Sequence, residues 1–252
     1  MKKISLKVSD IIDFLGDEVG NYDRDAEITG VASHRDAKKG DISWTSMKVN
    51  EFKGSLIIIP ADSDIILNSV LCKHPRLAFI KVCQKFFNNV DNTILGKNVK
   101  IGSNCTIGCE GFGHGKDENG IWQRFPHFGK VIIGDNVEIG SNVIINRGVL
   151  GDTIIGNNVR IWHSVNIGHN SIIYDNAVIL NGAILCGSVK VESGVWISPG
   201  AIIKNKIQIG YNSQVGLGAV VVKDVPHSTI VAGNPARVIG KVDENTYNMR
   251  SY

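Results

Sequence analysis

From Ile155 to Val221 every sixth residue is Ile, Leu or Val: Ile155, Ile161, Ile167, Ile173, Ile179, Leu185, Val191, Ile197, Ile203, Ile209, Val215 and Val221. An amphipathic helix repeats its apolar face every 3.6 residues and a half-buried strand every two, so a period of six belongs to neither. The fourth residue after each is Val159, Val165, Ser171, Ala177, Ala183, Val189, Val195, Ala201, Ile207, Ser213, Ala219 and Val225. This is a second, smaller column in register with the first. Hexads of this kind are the signature of a parallel β-helix. Each hexad is one short strand plus a turn, three hexads close a triangular coil, and stacked coils bury the two columns in one core.

The hexads start at Ile101 and Ile107 and resume at Ile133, Ile139 and Ile145. Ile107 and Ile133 are 26 residues apart, not a multiple of six, so a loop holding Gly111, Phe112, Gly113, His114, Trp122, Phe125, His127 and Phe128 leaves the coil there. The step from Ile145 to Ile155 is ten residues, so a smaller excursion carries Arg147 to Asp152. Insertions in a solenoid map to one face, commonly the binding face. The loop aromatics either cap the apolar end of the coil or contact a ligand. Before residue 93 the pattern is aperiodic and reads as mixed α/β. Ser9 is placed to N-cap a helix through Leu15 that stops at Gly16, Ser55 to Pro60 reads as a buried strand, and Leu77, Ile80, Cys83 and Phe87 recur at helical spacing. The expected layout is a small α/β domain over 1–92, a β-helix over 93–240 and a short tail over 241–252.

A coil period converts sequence spacing into geometry. Residues 18 apart stack at the spacing of neighbouring strands, about 4.8 Å, so His169 lies beneath Gly187, with Asn205 and then Lys223 beyond. A turn imidazole beside a turn glycine suits acyl transfer: a base near neutrality takes the acceptor's proton, and an unhindered backbone N–H stabilises an oxyanion. Alternatively both are solvated turn residues. His163 has the same hexad position one hexad earlier, at another corner, so it meets His169 only across a subunit boundary. Trp162, Trp196 and Tyr211 on outer faces fit a subunit interface.

Composition narrows the classes. The 252 residues are 43% apolar with a net charge of +3 from interspersed residues, which speaks against nucleic-acid binding. Five cysteines without a C-x-x-C read as reduced, buried thiols. No stretch reaches 18 apolar residues and the N-terminus lacks an h-region, so a cytoplasmic protein with no membrane span is expected.

Two segments carry a family resemblance. EGFGHGKDENGIWQRFPHFG at Glu110–Gly129 followed by KVIIGDNVEIG, together with INRGVLGDT at Ile145–Thr153 and IGHN at Ile167–Asn170, resembles the UDP-3-O-acylglucosamine N-acyltransferases of lipid A biosynthesis. The resemblance implies a left-handed parallel β-helix homotrimer with sites between subunits, His169 as general base and Gly187 at the oxyanion. The segments Ile28–Ser33 and Gly40–Trp44 resemble that family's uridine-binding domain, which implies that Trp44 stacks on the base; packing of Trp44 against the Ser55–Pro60 strand is the competing reading. Gly111, Phe112, Gly113, His127, Arg147, His163 and Asn166 are the further expected substrate contacts. The chain departs from the family pattern at Asn146 and Gly151, where Asp is common, at Trp162 and His163, and at Lys204–Lys206, where a second histidine is absent. Its VAGNPARVIGK end instead resembles hexapeptide acetyltransferases, which implies acetyl-CoA as cosubstrate, contacted by Asn205, Lys223, Asn234, Arg237 and Lys241.

The expected function is N-acylation of the amino group of a nucleotide-linked amino sugar for surface polysaccharide, with acetyl-CoA as donor, no bound cofactor and no metal. Three alternatives stand beside it: a shortened lipid A acyltransferase using a hydroxyacyl carrier protein, a zinc lyase resembling the γ-type carbonic anhydrases with His163 and His169 as ligands, and a noncatalytic β-helix subunit.

Overall fold

Both apolar columns turn inward. Ile161, Ile167, Ile173, Ile179, Val191, Ile197, Ile203, Ile209 and Val215 are fully buried, as are Val159, Ala177, Ala183, Val189, Val195 and Ala201 of the smaller column. The computed structural model describes residues 6–16, 19–87 and 93–243. Within them the hexads form a parallel β-helix with three faces. Face 1 runs through Thr93–Leu95, Val131–Ile133, Thr153–Ile155, Ile172–Ile173, Lys190–Val191 and Gln208–Ile209. Face 2 runs from Lys100–Ile101 to Gln214–Val215, then adds Thr229–Ala232 and, antiparallel, Arg237–Lys241. Face 3 runs through Thr106–Cys109, Ile144–Asn146, Asn166–Ile167, Ile184–Leu185, Ile202–Ile203 and Val220–Val221. The register is the coil period: Ile161 pairs with Ile179, Ile179 with Ile197 and Ile197 with Val215.

The corners explain the Asn-rich turns. Asn136, Asn142, Asn158, Asn170, Asn176 and Asn212 all have φ between 54° and 61°, the left-handed region that Asn tolerates better than other residues with a Cβ. Corner backbone groups are satisfied by a ladder between coils: Asp135 accepts the Lys97 N–H, Asn157 that of Asp135, and Asp175 that of Asn157, each at 2.7–2.8 Å. Each of these solvent-facing turns therefore keeps its donor paired within the coil.

The chain separates into two compact units, 1–90 with 112–128, and 91–111 with 129–252. In the first, a five-stranded sheet orders Gly20–Asn21, Ser69–Cys72, Leu56–Pro60, Asp41–Trp44 and Gly30–Val31, parallel except for the first pair. Helix α1 spans Val8–Leu15 and α2 spans Pro75–Phe86, with Pro75 where a missing N–H costs nothing. Ser9 is not the cap of α1: Lys7 is, and its N–H is taken by the Asp10 carboxylate at 2.8 Å. Segment 112–128, expected as a loop of the β-helix, is instead a hairpin, His114–Lys116 against Trp122–Arg124, that packs within the first unit. Phe125 is buried 5.8 Å from Phe79 of α2, and Arg76 and Gln84 of α2 donate to the His114 and Arg124 carbonyls.

One topological fact positions the site. The chain enters both excursions from face 3 and resumes on face 1, after Ile107 and after Ile145. Both insertions therefore leave by the same corner, the one that carries His169.

Candidate active site

At the corner between faces 3 and 1, Cys109, Arg147, His169, Gly187, Asn205 and Lys223 follow one another up the coil, Cys109 as the last residue of its face 3 strand and the others just past theirs. His169 is half-buried and its ring lies on Gly187: a Cβ built at Gly187 would stand 2.6 Å from His169 Nε2 and 2.9 Å from Cε1. Gly187 has no left-handed φ that would demand glycine, so the ring is what excludes a side chain there. Among the described residues no acceptor takes the Gly187 N–H, whereas the N–H groups of Asp135, Asn157 and Ser141 at the same turn position are taken by Asn157, Asp175 and His163; Gly187 shares its open N–H with other coils and differs in having an imidazole against it. Base and unsatisfied donor thus meet at one step of the coil.

Asn170 ties this step to the smaller excursion. Its Oδ1 lies 2.9 Å from His169 Nδ1 and accepts the Val149 N–H at 2.9 Å, while its Nδ2 donates to the Gly151 carbonyl at 2.7 Å. Its own N–H goes to Thr153 Oγ1 at 2.8 Å, which explains a buried hydroxyl in the inward column, and that hydroxyl donates to the Asn146 carbonyl. The excursion is tight: a Cβ at Gly148 would meet the Gly151 carbonyl oxygen at 1.6 Å. Gly111, at the start of the larger excursion, is brought to the same place, since a Cβ there would touch Asn146 and His169 Cδ2 at 3.4 Å.

Arg147, expected as a substrate contact, is held inside the fold. It is 5% exposed, and its guanidinium pairs with the Glu110 carboxylate at 3.2 Å. The pair joins the roots of the two excursions, because Glu110 begins one and Arg147 the other; a buried arginine is tolerable only with such a partner. His163 has a different task as well. Its Nδ1 accepts the Ser141 N–H at 2.8 Å, one rung of the corner ladder, at the corner between faces 2 and 3. Within one chain His163 and His169 do not converge.

Asn166 points outward from face 3 between Ile144 and Ile184. It is the polar break in an exposed stripe of Ile144, Ile184 and Ile202 beside the His169 corner, continued by the half-buried Val220. Face 1, on the other side of that corner, presents Ile94, Ile132, Ile154 and Ile172. Face 2 instead carries the Lys100–Glu138–Arg160 ion pairs, which lower the Glu138 carboxyl from its usual range, chiefly through the Lys100 hydrogen bond. Asn205 and Lys223 are exposed above Gly187. Arg237 and Lys241 lie on the strand that extends face 2, opposite the His169 corner, so one chain does not bring them to His169. The turn holding Asn234 reaches face 3 instead, where Ala236 N–H donates to Val220 O and Val220 N–H to Gly233 O.

The first unit has a cavity of its own, about 400 Å³, lined by Trp44, Lys73, His74, Arg76, Lys116 and Asp117 among others. Trp44 ends its strand half-buried on this cavity, so a flat ring and four basic side chains share one wall. Lys73 and His74 come from the segment leading into α2, Arg76 from its first turn, and Lys116 from the hairpin that Asp117 closes. That carboxyl accepts from Gln123 Nε2, Ile121 N–H and Asn119 N–H, and the first of these does most to hold it below the usual range. Phe112 is 75% exposed and stacks on His114 at 4.8 Å. His127 is 1% exposed, covered in part by Gly113, whose Cβ would stand 2.6 Å from His127 Cε1. His127 and Gly113 therefore pack against each other.

Asn170, Thr153, Glu110 and Cys109, whose Sγ accepts from Asn146 Nδ2 at 3.1 Å, complete the corner. Sequence reasoning missed them because Asn and Thr recur at turns throughout the chain. Of the cysteines only Cys83 is buried, which pushes its thiol well up; the other four are half-buried and all five are unbridged, a correction to the expectation of buried thiols. Among the described residues no three His, Cys, Asp or Glu side chains converge as metal ligands, and no helix is long and apolar enough to cross a membrane.

No protein-family model matches the chain. UDP-3-O-acylglucosamine N-acyltransferases of Coxiella burnetii are 48% identical over 69 residues, 27% of this chain and 20% of theirs. That of Ectopseudomonas mendocina is 48% identical over 67 residues, 27% of this chain and 19% of its own. The match thus spans about a fifth of the length of these curated relatives. Among solved structures, the UDP-N-acetylglucosamine acyltransferase of Francisella novicida superposes with a TM-score of 0.56 at 21% identity, covering 88% of this chain and 72% of that one. The Bacteroides fragilis enzyme gives 0.54 at 20%, covering 88% and 76%. These two show the fold, a left-handed parallel β-helix. The chain is thus similar in fold to these UDP-N-acetylglucosamine acyltransferases and, over 27% of its length, similar in sequence to the UDP-3-O-acylglucosamine N-acyltransferases.

Proposed function

We propose that the chain is an N-acyltransferase that acylates the amino group of a nucleotide-linked amino sugar, and that the corner between faces 3 and 1 carries the reaction. The observation that bears most weight is the His169 ring lying on Gly187. In this reading the sugar amine attacks the thioester carbonyl, forming the C–N bond, and the His169 nitrogen that faces Gly187 takes the amine proton. The Gly187 N–H, without an acceptor among the described residues, holds the oxyanion of the tetrahedral intermediate. Collapse breaks the C–S bond, and the imidazolium returns its proton to the departing thiolate, so amide and thiol are the products. The cavity of the first unit would take the nucleotide, with Trp44 against the base and Lys73, Arg76 and Lys116 near the phosphates. A homotrimer in the cytoplasm, serving surface polysaccharide synthesis, completes the reading. His169→Ala tests it: kcat should fall about 10²- to 10⁴-fold, and a variant keeping half of the wild-type kcat removes His169 from the mechanism.

The donor is proposed as acetyl-CoA, on the resemblance of the C-terminal segment. A second reading has a specific observation behind it. The exposed stripe of Ile144, Ile184 and Ile202 beside His169 gives a hydrocarbon chain an apolar bed, and Arg237 and Lys241 sit on the opposite face of the same chain. Both favour a longer acyl group on a carrier protein. Turnover of one amino sugar with acetyl-CoA and with 3-hydroxyacyl carrier protein separates the two.

A further inference from the structure

The orientation of the Asn170 side chain is set from both ends by backbone groups whose polarity cannot be exchanged. The Val149 N–H can only donate, and it points at Oδ1; the Gly151 carbonyl can only accept, and it receives Nδ2. Turning the amide over would set donor against donor and acceptor against acceptor, so the network assigns the atoms. Oδ1 is then an acceptor, and His169 Nδ1, 2.9 Å away, must carry the hydrogen. The proton on Nδ1 leaves the lone pair of the neutral ring on Nε2, the atom that faces Gly187. A histidine side chain free in water favours the other tautomer, with its hydrogen on Nε2 and nothing there to accept a proton.

We infer that Asn170 is a positioning residue that selects the base-competent tautomer of His169, and that the Arg147–Asp152 excursion exists in this coil to orient it. An asparagine at this turn position is not itself unusual. Asn136, Asn142, Asn158 and Asn176 hold the same left-handed φ, and among the described residues none of them has a histidine ring nitrogen as its partner. What differs at Asn170 is the excursion: the step from Ile145 to Ile155 is ten residues in place of six, and the extra residues supply the Val149 N–H and the Gly151 carbonyl. Thr153 anchors the Asn170 backbone from below, and the buried Arg147–Glu110 pair anchors the root of the excursion. The inference rests on the proposed role of His169 as base, but the tautomer itself does not.

The test therefore reads the tautomer directly. With ¹⁵N-labelled histidine in the full-length protein, a long-range ¹H–¹⁵N correlation spectrum above the titration of the ring distinguishes Nδ1–H from Nε2–H, and the His169→Gln spectrum assigns the signals. Wild-type His169 is expected as Nδ1–H, and Nε2–H in the wild-type protein overturns the inference without any variant at Asn170. Asn170→Ala should lose the Nδ1–H preference and lower kcat by about 10- to 10²-fold or more with KM unchanged, since a wrongly protonated base costs rate and not binding. Asn170→Asp keeps an acceptor at Nδ1 and should keep the tautomer. Asn158→Ala, with the same φ but no histidine partner, controls for turn strain and should leave both tautomer and kcat alone. An Asn170→Ala protein with an unchanged tautomer refutes the inference. A correct tautomer in a protein with no acyl transfer refutes the proposed function instead.

Discussion

Replacing Gly187 by alanine separates geometry at the site from stability of the coil. A Cβ there would stand 2.6, 2.9 and 3.1 Å from Nε2, Cε1 and Cδ2 of His169, against an ordinary contact that begins at 3.4 Å. The ring must retreat by about 0.8 Å, and a misplacement near 1 Å at a reacting group costs about 10²-fold in rate, or about 2.7 kcal/mol of transition-state stabilisation. The fold has no matching reason to suffer. The atoms that give way belong to the end of a side chain, and Gly187 lacks a left-handed φ, so alanine also reduces the entropy of the unfolded chain, worth about 0.4–1 kcal/mol in favour of folding. Steady-state kinetics should show kcat down about 10²-fold with KM within twofold, and calorimetry a Tm equal to or above wild type. Gly168→Ala is the contrasting variant, because its Cβ would meet Gly187 N at 2.6 Å and Cys186 C at 2.7 Å, both backbone, so its Tm should fall. Wild-type kcat in Gly187→Ala, or a rate lost only in step with Tm, would refute the reasoning.

Removing one member of the buried Arg147–Glu110 pair strands the other, so Arg147→Ala should cost about 3–5 kcal/mol in denaturant unfolding; a loss below 1 kcal/mol would mean that the pair is solvated. If Trp44 stacks on a base, Trp44→Ala should raise KM for the nucleotide sugar about fivefold or more with kcat nearly constant, and an unchanged KM returns Trp44 to a packing role. The Asp117 carboxyl is held below its usual range by donors that bind the ionised form. Its contribution to the hairpin is therefore present above the unfolded pKa, about 3.9, and is lost as pH falls through the lower folded value. Amide shifts of Asn119 and Ile121 followed by NMR should move together below pH 4, and shifts flat down to pH 2 would contradict this.

The period of six was enough to read the coil, because a solenoid is built from local repeats and each hexad must bury the same two positions. The same regularity placed His169 against Gly187 before any coordinates, since a residue 18 positions on is a spatial neighbour by construction. The strand near Ser55–Pro60 and the helix near Arg76–Phe87 were likewise legible from runs of apolar residues. The helix start was not: Ser9 looked like a cap, but the Asp10 carboxylate reaching back to the Lys7 N–H won the competition.

What the period could not reach lies where the chain departs from it. Arg147 and His127 are polar residues in insertions, and such residues look like ligand contacts in a sequence; the structure buries one with Glu110 and the other behind Gly113. His163 and His169 share a hexad position, yet one completes a backbone ladder and the other lies on a glycine. Asn170 cannot be told from Asn158 or Asn176 along the chain, since all three serve a left-handed turn. Only the excursion folded beside it supplies the N–H and C=O that orient its amide. A repeat determines where backbones stack, because stacking is periodic; the partner of a side chain at a corner depends on inserted backbone that obeys no period, and tertiary structure alone decides it.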